Sequence, residues 1–179
     1  AGDEVCSIEG DDEWMLLPVS DFVVSYGWRH MVPPAIIQRY RNRIINIHIG
    51  YLPWNRGTDP NFWSWHDDTP KGVTIHQIDE GIDTGPILAQ MRTPIFSNFC
   101  GKTPATLKGT YDILQRDAVF LFRKYWPNIR EGKIKPFQQV EAGTSHKKKD
   151  LEAIWHHFPL GWDTPVRDVE EFGRRSRDE

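Results

Sequence analysis

The chain has 179 residues, the size of one ordinary domain, enough to bury a core but short of two full domains. Hydrophobic residues make up 39% and charged ones 26%, with no apolar run of the ~20 residues a membrane span needs and no signal-peptide pattern, so a soluble, cytoplasmic protein is expected. A formal net charge of −3 gives no global electrostatic reason for nucleic-acid binding, and Cys6 and Cys100 form neither a disulfide framework nor a zinc-ligand spacing.

Residues 3–8 form a short run with apolar members, ended by Glu9-Gly10-Asp11-Asp12, which predicts a strand and a turn. Residues 21–26 (DFVVSY) are apolar and β-branched, which predicts a strand buried on both faces, as in a parallel sheet. Pro33-Pro34 then opens an amphipathic stretch through Tyr40, with proline in the first turn, where its missing N–H costs nothing. Residues 44–49 (IINIHI) predict a further strand, whose period of two puts Asn46 and His48 on one face.

Residues 50–60 are dense in Pro, Gly and Asn and read as a loop, with a helix able to begin at Phe62. Residues 72–78 (GVTIHQI) and 87–93 (ILAQMRT) predict two more strands joined by an acidic, glycine-containing loop, residues 79–85. The longest helical pattern runs over residues 104–130, with Leu107, Tyr111, Leu114, Ala118, Leu121, Phe122 and Tyr125 near helical spacing and Gly132 as its stop. Residues 133–145 read as irregular, residues 149–157 as a short helix, and the charged stretch from Asp163 onward as a fraying tail. This alternation predicts an α/β domain with a largely parallel sheet. Residues 1–145 are expected to form the core and residues 146–179 an extension. Eight Trp are an unusual load, and indoles in such number often line a pocket for a flat ligand as well as a core.

An amide and an imidazole side by side at the carboxyl end of a strand must be paired or used. For Asn46 or His48 alone, a locally satisfied polar group explains the residue as well as chemistry does. The wider pattern adds four ordered elements to Asn46-Ile47-His48: Leu52-Pro53, Arg56-Gly57, Gly72-Val73-Thr74-Ile75-His76 and Asp83-Thr84-Gly85. In this order they resemble the signature region of the N10-formyltetrahydrofolate-dependent formyltransferases, a family that includes methionyl-tRNA, glycinamide ribonucleotide and sugar N-formyltransferases. The resemblance is clear over residues 21–134 and weaker to Ile154.

The resemblance implies a Rossmann-like core and a catalytic trio of Asn46, His48 and Asp83. It implies N10-formyltetrahydrofolate as co-substrate, held by Trp28, Arg29, His30, Met31 and Val32 on one side and by Ile78, Asp79, Glu80 and Gly81 on the other. Met31 and Val32 could equally cover the core before Pro33. It implies no metal, although His48, His76 and Asp83 are residue types that zinc accepts. Trp54 and Arg56 are the candidate acceptor contacts. Lys147-Lys148-Lys149 could bind a phosphate, yet such short runs ordinarily face solvent.

The segment Ser25 to Pro33 and the loop Tyr51 to Gly57 look more like sugar enzymes than tRNA enzymes, so an amino-sugar nucleotide is the expected acceptor. Methionyl-tRNA is the alternative acceptor, and a truncated, non-catalytic folate-binding relative is the alternative role. The first βα unit of the family is expected to be absent, or to lie outside this chain. Its loss would bare a sheet edge, a place for a homodimer to form.

Overall fold

The computed structural model describes residues 3–8, 14, 19–95 and 105–178. Its centre is a four-stranded sheet in the order β1 (Val23–Tyr26), β2 (Ile44–His48), β4 (Gly72–Gln77), β5 (Ile87–Arg92). β1 and β2 are parallel, joined by helix α1 (Pro34–Arg39), which starts at a proline as expected. The other two pairings, β2 with β4 and β4 with β5, are antiparallel. The α/β class holds, but the sheet is mixed and not largely parallel. The physical reason is connection length: β4 and β5 are joined by a nine-residue loop with no helix in it, which suits a hairpin and not a crossover.

Strand β1 also departs from expectation. Val23 is buried, but Val24 and Tyr26 are 38% and 43% exposed, because β1 ends the sheet among the described residues. Residues 3–8 form no strand; Asp3 instead accepts from Trp126 Nε1 at 2.7 Å and from Arg130 Nη1 at 2.6 Å. The turn expected at residues 9–12, the start of the long helix at Pro104, and Cys100 lie outside the described residues.

Alternation along β2 divides two apolar clusters. Ile45 and Ile47 join Val73 and Ile75 of β4 in the main core, under helix α3 (Leu107–Arg130) and helix α2 (Pro60–His66). Ile44 points the other way and packs with Val23, Val32, Ile36 and Tyr40 beneath α1. Thr106 caps α3 by accepting from the Gly109 N–H at 3.1 Å.

The stretch after α3 is more ordered than its composition suggests. A two-residue strand β6 (Ser145–His146) pairs in parallel with β3 (Arg56–Gly57), inside what read as loop. Helix α4 (Lys148–Ile154) is followed by two 3-10 turns, Trp155–His157 and Gly161–Asp163. The expected fraying tail is helix α5 (Val166–Asp178), which lies on α2 with Val166, Val169 and Gly173 buried. No helix among the described residues is long and apolar enough to cross a membrane.

Candidate active site

Strand register builds the site. Antiparallel pairing sets Asn46 of β2 opposite His76 of β4, and His48 opposite Thr74. Residues two apart share a face, so these four side chains form one polar patch on the α1 side of the sheet. The loop after β4 then brings Asp83 over the patch, with Asp83 itself in a left-handed conformation (φ 52°) that few non-glycine residues adopt.

Asp83 is the hub. Its Oδ1 accepts from Asn46 Nδ2 at 3.2 Å, and its Oδ2 from the Gly57 N–H at 2.8 Å. His48 Nδ1 stands 3.5 Å from Oδ2, and His76 Nε2 3.3 Å from Oδ1. Burial alone would raise the Asp83 carboxyl, but the adjacent His48 and His76 rings and the Gly57 N–H outweigh it and hold it well below the usual carboxylate range. Asp83 is therefore an anion at neutral pH.

Two carbonyls set the ring tautomers, since a carbonyl oxygen can only accept. His48 Nε2 donates to the Asn55 carbonyl at 2.9 Å, which leaves Nδ1 facing Asp83. His76 Nδ1 donates to the Gln77 carbonyl at 2.8 Å, and its Nε2 lies 3.3 Å from both the Asn46 amide and Asp83 Oδ1. Burial pushes the His48 imidazole below its usual value, against the pull of the Asp83 carboxylate, so the resting ring is neutral at pH 7. The ring is also wedged in place: a Cβ on Gly50 would come within 2.5 Å of His48 Nε2, so only glycine fits there. What results is a buried anion, an amide donor and a neutral imidazole with a free nitrogen, a set suited to taking a proton while a carbonyl carbon is attacked.

The structure thus brings Asn46, His48 and Asp83 together. His76, Asn55 and Gly57 are the additions. His76 was visible two residues after Thr74 in a strand, but only the register places it against Asn46. Asn55 acts through a backbone carbonyl, for which a side chain leaves no signal.

The two segments expected to hold a cofactor meet through one apolar cluster, to which Val32, Trp28 and Ile78 all belong. Val32 is buried and Met31 is 57% exposed, so of the two it is Val32 that covers the core. Arg29 is exposed, and the His30 ring lies edge-on to Trp28, their centroids 5.6 Å apart. Asp79 closes its own loop, accepting from the Gly81 N–H at 3.1 Å and from Thr84 Oγ1 at 2.7 Å, beside exposed Glu80. The Trp28 indole N–H is buried without a hydrogen-bond partner, an unused donor in this cluster. Trp14, in the same cluster, has a second buried indole N–H without a partner, and an apolar wall with spare donors suits a flat heterocycle. Among the described residues no group of three or more His, Cys, Asp or Glu side chains could hold a metal ion.

Of the expected acceptor contacts, Trp54 is half-buried and stacks on Tyr51, with centroids 6.4 Å apart. Arg56 turns inward: Nε and Nη2 donate to Gln139 Oε1 at 3.0 and 2.8 Å, and Nη1 to the Ala142 carbonyl at 3.0 Å.

Comparison with known proteins adds three findings. A model of the formyl transferase family matches residues 15–109. The chain is 33% identical over 135 residues to dTDP-4-amino-4,6-dideoxyglucose formyltransferase of Mycobacterium tuberculosis, covering 75% of this chain and 54% of that protein. It is 39% identical over 138 residues to methionyl-tRNA formyltransferase of Sorangium cellulosum, covering 74% and 42%. The chain spans about half the length of such relatives. Among solved structures it resembles the formyltransferase PseJ from Anoxybacillus kamchatkensis, in complex with UDP-4,6-dideoxy-4-formamido-L-AltNAc and tetrahydrofolate. The TM-score is 0.83 at 43% identity, covering 93% of this chain and 85% of that one.

Proposed function

Because the chain belongs to the formyl transferase family, we propose that it moves a formyl group from N10-formyltetrahydrofolate to the primary amine of an amino-sugar nucleotide. The observation that carries this reading is the convergence of Asn46, His48 and His76 on the Asp83 anion. The sugar-nucleotide acceptor is supported by the likeness to PseJ, whose complex holds a formamido-sugar nucleotide and tetrahydrofolate and of whose chain this one covers 85%. Trp28, Val32 and Ile78 would hold the folate, with Arg29, His30 and Met31 and the loop Asp79, Glu80 and Gly81 at its rim. The folate supplies the activated formyl group.

His48 Nδ1 is the free nitrogen of a neutral ring, so it takes the proton that the acceptor amine sheds as its nitrogen bonds to the formyl carbon. Asp83, 3.5 Å away, stabilises the imidazolium so formed. Asn46, whose amide otherwise faces Asp83 and His76, turns one N–H to the oxygen that becomes negative. His48 then returns the proton to the leaving nitrogen as its bond to the formyl carbon breaks, and the charges balance. The enzyme works in the cytoplasm, and the edge of β1 that pairs with no described strand is where two copies would meet in a homodimer.

The test is a formylation assay against a panel of amino-sugar nucleotides and methionyl-tRNA, following tetrahydrofolate release and product mass. One sugar nucleotide gains a formyl group, and His48→Ala and Asp83→Asn each lower kcat by about 10²–10⁴-fold while folate affinity is kept. Turnover on methionyl-tRNA alone would reassign the acceptor, and folate binding without turnover on any amine would sink the enzymatic reading.

A further inference from the structure

The segment from Phe137 to His146 runs across the back of the site, and both its ends are fixed by contacts outside it. At one end Phe137 and Ile87 of β5 exchange backbone hydrogen bonds at 2.8 and 2.9 Å. At the other, His146 Nε2 lies 2.7 Å from Asp67 Oδ2, and its ring stacks on Trp63 with centroids 3.8 Å apart and planes within 5°. A segment tied down at both ends can hold what lies between.

Between the ends, two side chains reach the groups that set the site. Gln139 Nε2 donates to the carbonyls of Asp83 at 2.9 Å and Gly85 at 2.8 Å, while its Oε1 receives Arg56. Thr144 Oγ1 accepts from the Asn55 N–H at 2.8 Å and lies 3.2 Å from Asn55 Oδ1. Asn55 is the residue whose carbonyl orients His48. Neither Gln139 nor Thr144 bonds to Asn46, His48 or the Asp83 carboxylate, yet each fixes the backbone from which one of the two opposed partners is aimed.

We propose that Gln139 and Thr144 are positioning residues for the reaction, Gln139 setting the Asp83 loop and Thr144 setting His48 through Asn55, with Arg56 serving Gln139 and not the acceptor. This rests on the formyl-transfer reading above for its kinetic consequences, but not for its geometry. A misplacement of about 1 Å in such a pair costs on the order of 10²-fold in rate.

The variants are Gln139→Glu, Thr144→Val and Thr144→Ser. Gln139→Glu still accepts from Arg56 but turns an oxygen on the Asp83 and Gly85 carbonyls, and Thr144→Val keeps shape without the hydroxyl. Each is expected to lower kcat by about 10–100-fold with KM for folate and acceptor changed less than about threefold, whereas Thr144→Ser keeps wild-type kcat. An Arg56→Ala change placed on top of Gln139→Glu adds little. A raised acceptor KM for Arg56→Ala, additive with Gln139→Glu, would return Arg56 to the acceptor site and overturn its part in the proposal. The independent readout is the side-chain 15N spectrum of His48, which reports a single Nε2–H tautomer in the parent and a tautomer mixture in Thr144→Val. An unchanged His48 spectrum and unchanged kcat in folded variants overturn the proposal. If the parent formylates no amine, the functional reading fails, and the His48 spectrum alone still decides whether Thr144 positions the ring. Should Thr144→Val not fold, the Gln139→Glu spectrum takes its place, with a shifted His48 resonance expected and an unshifted one contrary.

Discussion

At the scale of single residues, the site's electrostatics make stability depend on acid in a definite direction. His48 is held below the ordinary imidazole value of 6.5, so on acidification the unfolded chain takes up a proton there before the folded chain does. Its contribution to stability is whole above that value and falls as pH drops through it. Asp83, also held low, contributes stability above the ordinary carboxylate value of 3.8 that is lost only at still lower pH. The melting temperature should therefore fall between pH 7 and pH 5, and His48→Gln should make that fall shallower; equal slopes would remove His48 from the account. Asn46, His48 and Asp83 were legible only through the ordered motifs around them that resemble the formyltransferase signature, since a locally satisfied polar group explains Asn46 or His48 alone equally well. Asn55, Gln139 and Thr144 were not, since Asn55 acts through its own backbone carbonyl, Gln139 bonds to backbone carbonyls, and Thr144 sits 89 residues from its partner.

At the scale of elements, strands and helices with strong periodicity were readable, and the failures share a cause. Two-residue strands such as β3 and β6 are too short to show a period, so long-range pairing alone defines them. Helix α5 hides its buried stripe, Val166, Val169 and Gly173, among charges on its other faces. That stripe carries a prediction of inverted sign. In an exposed helix Gly→Ala stabilises by about 1 kcal/mol, but a Cβ on Gly173 would lie 1.9 Å from the His66 carbonyl oxygen at the end of α2. Overpacking of this kind costs about 1–3 kcal/mol, so Gly173→Ala should destabilise despite its better propensity. Urea unfolding would show a lower midpoint at unchanged slope, and a raised midpoint would mean that α5 does not seat on α2 as described.

At the scale of the whole molecule, the packing crosses the boundary that composition suggested near residue 145. Leu151, Phe158, Val166 and Val169 share one apolar cluster with Phe62, Trp63, Leu107 and Leu114. The 179-residue chain should accordingly unfold in a single transition, and a chain ending at residue 145 should lose cooperative melting because that cluster is opened to water. A truncated chain that still melted sharply would mark residues 1–145 as a domain able to stand alone. The same wholeness bears on attempts to redirect the acceptor. Because any side chain at Gly50 strikes the His48 ring before it could meet a new amine, a directed-evolution library gains nothing from that codon. Four positions later stands Trp54, stacked on Tyr51, and if Trp54 meets the acceptor as the resemblance implies, diversity belongs at that pair.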